Sequence, residues 1–346
     1  MKNKNLTKIG FIYFVSITLV AVVFVLGSFG IVTNEYLSAF LIQCVVLFGV
    51  PLLLYTLFVG KNVKQTFADA GFKAISGKMI IISILLGIVL YAINSFVAQT
   101  FASIISMLGY ESVKLGGSSQ TLSYFSLFKE LVLSCLLPGF CEEFLHRGIM
   151  LHANKKYSNP RYALIISSIL FGLIHLNINQ FFYATILGAL MGYIALVSDS
   201  IFPSMIIHFM NNALSTYFYY GVYMNWPLAS FIQEFETMLA SSILLYVTFV
   251  SLAVMLLIWC YKHLAGQMMR ERAKMDIEKI VKYLKSNTLT IEQAQEKISQ
   301  VNIVLKQRHL LNAPQKSGNF KSKVFIISSI ILGALVTLSS FIWGLI

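Results

Sequence analysis

The sequence predicts an all-α fold, a polytopic bundle of about nine transmembrane helices with a polar helical segment before the last of them. Hydrophobic residues make up 57% of the chain and charged residues 12%, with a mean hydropathy of +0.76, so the chain is far more apolar than a soluble domain. Apolar runs of about 20 residues, enough for a helix to cross a hydrocarbon layer about 30 Å thick, recur along it. Its basic residues also collect on one side of the predicted membrane.

Nine runs account for the predicted spans. They are residues 9–32, 36–59, 79–108, 125–153, 160–177, 180–197, 201–220, 237–261 and 324–346. The first run follows a basic start, as in a signal peptide, but it is longer than a signal core and has no evident cleavage site, which predicts a permanent anchor.

The four cysteines lie inside or at the ends of apolar runs without CxxC spacing, which argues against disulfides and a Cys-rich zinc site.

The basic residues predict the orientation of the chain. With a cytoplasmic N-terminus, 24 of the 26 lysines and arginines fall on the cytoplasmic side, and only Lys114 and Lys129 fall toward the other. The net charge of +12 is then a sign of membrane orientation, and a nucleic-acid partner is not expected. The C-terminus is predicted to lie outside, and the short loops and lysine bias favour a bacterial plasma membrane.

The chain divides into four predicted regions. They are N-terminal transmembrane helices at 1–108, a core at 109–262, a cytoplasmic amphipathic segment at 263–323 and a last transmembrane helix at 324–346. Within the amphipathic segment, apolar stripes at helical spacing lie on either side of Thr290 and Gln293, which have the spacing of a capping box. We therefore expect a helical hairpin there. It serves either as a structural spacer or as the docking site of a protein partner.

Two glutamates lie well inside an apolar run. A charge inside the bilayer costs about 2.5 to 3.5 kcal/mol, so Glu142 and Glu143 need a structural or chemical reason. Arg147 shares a helix face with Glu143, four residues earlier, and the two can neutralise each other. Glu142 is turned about 100° away and is left for chemistry. The alternative is that both acids pair with Arg147 and His146 to hold helices together.

Two further runs carry polar side chains at a similar depth. His175 lies in the fifth run, and His208 and Asn212 lie four residues apart in the seventh. A lone histidine in a helix is more often structural than catalytic. At 1.5 Å per residue, however, these three groups and Glu142 all lie about 15 to 22 Å from the predicted cytoplasmic helix ends. Together they offer a base for a water and donors for an oxyanion, and no Ser/His/Asp arrangement competes with them.

Three motifs give the pattern a family likeness. Residues 142–147 contain EExxxR, residues 171–175 read FxxxH and residues 208–212 read HxxxN. In this order the motifs resemble the CAAX protease and bacteriocin-processing family of intramembrane endopeptidases, also called the Abi family. The resemblance covers about residues 125–220, and the polar segment and the last span lie outside it.

The resemblance implies a catalytic set of five residues: Glu142, Glu143, His175, His208 and Asn212. Glu142 is the general base, and His175 helps to hold and activate the water. His208 and Asn212 form the oxyanion site. Glu143 and Arg147 have supporting roles.

A metal is left open by the sequence. Glu142, His175 and His208 could be three ligands of a catalytic divalent metal such as zinc, but the HExxH spacing of common zinc peptidases is absent. We favour a glutamate mechanism that requires no cofactor. The expected partners are the lipid bilayer and a peptide or membrane-protein substrate that reaches a cavity from the bilayer or the cytoplasm.

Two other functions compete with the peptidase. The first is a non-catalytic immunity or scaffold protein of the same fold, but binding alone does not require the three motifs together. The second is an ion- or proton-coupled transporter, for which buried acids and histidines would be relay groups. The chain has no internal repeat, which counts against that interpretation. Among peptidase roles, peptide or bacteriocin maturation, immunity and CAAX-like processing all stay open, although prenylated proteins are characteristic of eukaryotes.

Overall fold

The predicted all-α fold is confirmed. In the computed structural model, residues 2–32, 34–110, 122–240, 243–307 and 320–343 are described, and these residues form twelve helices and no strand. The helices are α1 (Lys2–Ser28), α2 (Glu35–Phe58), α3 (Val63–Asp69), α4 (Gly77–Met107), α5 (Tyr124–Lys156), α6 (Pro160–Leu173), α7 (Ile178–Ser198), α8 (Phe202–Tyr223), α9 (Pro227–Ala240), α10 (Ile243–Lys285), α11 (Ile291–Gln307) and α12 (Phe320–Trp343).

Seven helices of the described residues are long and apolar enough to cross a membrane: α1, α2, α4, α5, α7, α10 and α12. The chain is therefore a multi-pass membrane protein, with seven of the nine predicted spans meeting that criterion. α6 has 14 residues and a length of about 21 Å, too short to span the hydrocarbon layer alone. α8 has 22 residues, but polar groups such as His208 and Asn211 lower its hydropathy. The count of nine stays a prediction.

The helices α2 and α5 contain π-helical segments, which often mark functional sites. In α2 the segment is Leu41–Gly49, and in α5 the segments are Leu131–Leu136 and Phe144–Ala153. Gln43 lies inside the first segment. Glu142 and Glu143 directly precede the last one. The π-helical segments therefore contain or adjoin the polar residues in the middle of α2 and α5.

α5 is the central helix of the bundle. Every residue of its segment Phe144–Ala153 is buried, and one hydrophobic cluster joins α5 to α1 and α2. A second cluster joins α4, α7, α8 and α10 around Phe171 of α6. At Gly139 a Cβ atom would lie 3.3 Å from the Met205 oxygen and the Phe209 nitrogen of α8. This glycine therefore lets the backbones of α5 and α8 approach closely, one turn before Glu143.

Basic residues gather at one end of the bundle. Lys8 near the start of α1 donates to the carbonyl of Phe58 at the end of α2, and Asp199 after α7 pairs with Lys73 and Lys155. Burial acts to raise the pKa of Asp199, but Lys155 and Lys73 outweigh it and hold the pKa below its ordinary value. The predicted cytoplasmic ends thus meet at one face.

The opposite end of the bundle carries little basic charge. There the Lys129 nitrogen lies 4.6 Å from the ring centroid of Tyr36, so this lysine is on the predicted side. Lys114 and residue 346 lie outside the described residues. Which end faces the cytoplasm stays a prediction from the basic residues.

The predicted helical hairpin is present. Thr290 and Gln293 form the capping box, with the Gln293 amide N–H donating to Thr290 Oγ1 at 3.2 Å and the Gln293 side chain accepting from the Thr290 N–H at 3.0 Å. α10 has 43 residues and a length of about 65 Å, so the predicted boundary at Lys262 falls within one continuous helix. Ser76 donates to Glu271, which fastens the polar half of α10 to the basic end of the bundle.

Candidate active site

Glu143 is the structural acid of the pair. It is fully buried, and its Oε1 accepts from Arg147 Nη1 at 2.7 Å and from His208 Nδ1 at 3.0 Å. The first contact is the pair within α5 that the i, i+4 spacing predicts, and the second ties α5 to α8. Because Arg147 is also fully buried, each charge compensates the other away from water.

Glu142 takes a different environment on the same helix. It is 8% exposed, and its Oε1 accepts from Gln43 Nε2 of α2 at 2.8 Å. Its Oε2 has no hydrogen-bond partner among the described residues. No ion pair of the described residues includes Glu142, so its charge is not compensated as that of Glu143 is. Oε2 is thus not committed to a hydrogen bond, as the oxygen of a general base must be, but it is buried.

Gln43 is the contact that sequence reasoning missed. It lies outside the three motifs and 99 positions from Glu142, so no local spacing connects the two residues. One signal was available, because Gln43 is a polar side chain inside an apolar run, and such residues need a partner in the bilayer.

His175 lies just beyond the end of α6, in a turn whose neighbours Ile174 and Leu176 are buried. Its Nδ1 is 2.8 Å from the carbonyl oxygen of Phe171, so Nδ1 carries the hydrogen and donates it. In the neutral ring Nε2 is then an acceptor. His175 can therefore accept a hydrogen bond from a water.

Phe171, the first residue of the FxxxH motif, organises the surrounding rings. His146, His175 and His208 all pack edge-to-face against its ring, with centroids 5.0, 5.3 and 5.6 Å away. The guanidinium carbon of Arg147 lies 4.2 Å from the same centroid. One aromatic side chain thus fixes the three histidines of the core relative to the Glu143–Arg147 pair.

The hydrogen bonds that His208 and Asn212 form differ from those that an oxyanion site requires. Asn212 Nδ2 donates to the Ser134 carbonyl at 2.9 Å, and its Oδ1 accepts from Asn211. Asn212 keeps a second N–H. His208 uses Nδ1 for Glu143, so it can donate through Nε2 only when both ring nitrogens carry hydrogens. The structure brings His208 next to Glu143 and leaves Asn212 facing α5.

A cavity of about 760 Å³ lies between α1, α2 and the turn after α6. Glu142, Gln43 and His175 are in its wall, whereas His208 and Asn212 are not. Much of the remaining wall is apolar: Val20, Val23, Phe24, Ile42, Leu47 and Ile174. The deep residues are buried and the residues around the α1–α2 turn are exposed. The cavity therefore opens at the end of the bundle opposite the basic residues.

The zinc ligand set does not fit this arrangement. Among the described residues, no group of three or more His, Cys, Asp and Glu side chains could hold a metal ion. Glu142 is bound to Gln43, and His208 is bound to Glu143.

The comparisons with known proteins agree with the motifs. Residues 124–214 match the family model described as Rce1-like, type II CAAX prenyl endopeptidase. The matched segment is about a quarter of the 346 residues; it includes all three motifs and runs from α5 into α8. It confirms the resemblance to the CAAX protease and bacteriocin-processing family. No curated protein and no solved structure matches the chain.

Proposed function

We propose that the chain, whose residues 124–214 match the Rce1-like family model, is an intramembrane endopeptidase that uses a glutamate-activated water. The observation that carries this proposal is the shared cavity wall of Glu142 and His175. A carboxylate without a counter-charge and a histidine with a free acceptor nitrogen meet there, next to apolar side chains. Pure scaffolding does not require that combination.

The reaction follows from these two groups. A water in the cavity donates one hydrogen bond to Glu142 and the other to Nε2 of His175. Glu142 takes the first proton as the water oxygen attacks the scissile carbonyl carbon. Glu142 then returns this proton to the amide nitrogen, and the C–N bond breaks to give a carboxylic acid and an amine.

The carbonyl oxygen gains negative charge during the attack and needs donors. We assign this role to His208 and Asn212, as the family resemblance implies; neither lines the cavity as it stands, so the scissile carbonyl has to reach past its wall toward α8. Each has one donor position beyond its present contact, Nε2 of His208 in the doubly protonated ring and the second N–H of Asn212. Glu143 and Arg147 support them by fixing α5 against α8.

The substrate class follows from the cavity wall. Its apolar side chains suit an apolar, membrane-associated peptide segment, and its mouth lies at the α1–α2 turn. With the N-terminus in the cytoplasm, this mouth faces the outer side, not the cytoplasm. We therefore favour cleavage of peptides presented at the outer face, as in peptide or bacteriocin maturation, over processing of cytoplasmic prenylated proteins.

Peptide mass spectrometry of membranes tests the function. Cells that produce the intact protein should contain cleavage products absent from cells that produce Glu142→Ala at equal level. Equal peptide sets, with both proteins capturing the same membrane partner, would favour the non-catalytic scaffold. Ion or proton flux in liposomes without any proteolysis would favour the transporter.

The orientation predicts a labelling pattern. We expect a membrane-impermeant thiol reagent to label single cysteines placed at Ile31, beside the cavity mouth, and after residue 346 in intact cells. A cysteine at Ser286, between α10 and α11, should be labelled only after the cells are opened. The parent protein is the control, because its four cysteines lie in apolar helices. Labelling at Ser286 in unbroken cells would invert the orientation and turn the cavity mouth to the cytoplasm.

Metal removal gives a separate prediction. Because the described side chains of the cavity form no metal site in this arrangement, we expect 1,10-phenanthroline and EDTA to leave the cleavage rate unchanged. The rate is measured on purified protein with one peptide substrate. Loss of activity that added zinc restores would show that Glu142 and the histidines rearrange around a metal.

A further inference from the structure

We propose that Gln43 is a positioning residue for Glu142, holding its carboxylate in a fixed orientation at the cavity wall. The inference rests on the proposed function, because it concerns the base of that reaction. Gln43 is on α2, outside the residues 124–214 that match the family model. The other proposed catalytic residues lie on α5, on α8 and in the turn after α6.

The geometry of the contact is specific. Gln43 and Glu142 are each 8% exposed, and the Nε2–Oε1 distance of 2.8 Å is that of a good hydrogen bond. Gln43 lies in the π-helical segment of α2, and Glu142 directly precedes Glu143 and a π-helical segment of α5. Both residues also line the cavity. The contact thus joins two irregular helices at the reacting centre.

The charge balance explains why an amide suits this position. The buried cation nearest in sequence, Arg147, is already bound to Glu143, so Glu142 would be an uncompensated carboxylate in an apolar setting. A hydrogen bond to the charged form favours that form. A neutral amide stabilises the Glu142 carboxylate by a hydrogen bond. It attracts the oxygen lone pairs that accept the proton less strongly than a cation would.

The amide also selects the reacting oxygen. Gln43 occupies Oε1 of Glu142, while Oε2 has no partner among the described residues. The carboxylate cannot rotate freely without losing its donor. We assign Oε2, which is buried but has no partner among the described residues, as the oxygen that takes the proton once a water is admitted beside it.

A series of variants tests this role. Gln43→Leu keeps the approximate size and removes the donor, so we expect kcat to fall about 10- to 100-fold, the effect of losing a hydrogen bond to a charged group, with KM little changed. Gln43→Asn keeps an amide on a shorter side chain, and we expect an intermediate rate.

Gln65→Leu is the matched control. Gln65 also donates to a carboxylate, with Nε2 2.6 Å from Oδ1 of Asp69, but it lies on α3 at the basic end of the bundle and away from the cavity. The same substitution there should leave kcat and KM unchanged. Melting curves of all variants in detergent separate a positioning effect from a folding defect.

Carbodiimide labelling gives a readout that does not depend on cleavage. Dicyclohexylcarbodiimide reacts with protonated buried carboxyls, and mass spectrometry locates the adduct on Glu142. At one fixed pH, we expect Gln43→Leu to increase the rate at which Glu142 is labelled over that of the parent, because the amide no longer holds the carboxyl group, and Gln65→Leu not to do so. If the parent cleaves no peptide, the proposed function fails, and labelling alone decides the role of Gln43. A folded Gln43→Leu protein with the parent's labelling rate would overturn the inference.

Discussion

Glu142→Gln should abolish proteolysis and leave the protein folded in the membrane. The substitution keeps the size of the side chain and an oxygen that can accept from Gln43, but it removes the group that takes the proton from water. Loss of a general base costs about 10² to 10⁴ in rate. Product formation by purified protein in lipid nanodiscs measures the loss, and a melting curve checks the fold.

The matched control for this variant lies on the same helix. Glu130→Gln makes the same chemical change in α5, where Glu130 accepts from Ser134 at 2.5 Å outside the cavity wall. We expect it to retain the parent's activity. Full activity of Glu142→Gln would mean that another group is the base, and the mechanism proposed above would be wrong.

Much of the fold could be predicted from local properties of the sequence. Hydropathy reports the length of an apolar helix directly, so the runs that become α2 and α4 were predicted with ends within two residues of those observed, whereas α1 begins seven residues before its predicted start. The Glu143–Arg147 pair follows from helix periodicity alone. The predicted end of α6 was less accurate. The apolar run continues to residue 177, but the helix ends at Leu173 and a buried turn follows, and hydropathy does not distinguish a buried turn from a helix.

Contacts between helices were less accessible to sequence reasoning. The i, i+4 spacing places His208 and Asn212 near one face of α8, but it does not say which neighbouring groups that face meets. In the structure His208 reaches Glu143, and Asn212 reaches the backbone of Ser134. The partner of Glu142 comes from α2. Such pairings depend on how helices distant in sequence pack, and one sequence contains no local signal for them.

The position of the cavity mouth could not be predicted for the same reason. Access was expected from the bilayer or the cytoplasm, and that expectation names a side of the membrane but not the segments that form the opening. The opening depends on the α1–α2 turn and on the buried turn at Leu176, which has a left-handed φ of 52°. Only the packed arrangement of these segments shows that the cavity opens away from the basic end.

Arg147→Ala should lower both the yield of folded protein and the melting temperature. The substitution leaves Glu143, which is fully buried, without its cation, and breaking a buried pair in this way costs about 3 to 5 kcal/mol. Lys274→Ala is the control, because Lys274 and Glu278 have the same spacing but are exposed, and such surface pairs contribute about 0 to 1 kcal/mol. Melting in detergent compares the two variants.

A double variant separates the two roles of Arg147. Besides its ion pair, the guanidinium packs on the ring of Phe171, so lost packing alone could destabilise the core. Adding Glu143→Gln to Arg147→Ala removes the stranded charge but not the packing defect. If the charge dominates, the double variant melts well above Arg147→Ala. If both melt alike, the main contribution of Arg147 comes from its contacts with the Phe171 ring and with the Gly188 carbonyl, to which Nη2 donates at 3.3 Å, and the supporting role assigned to its charge is wrong.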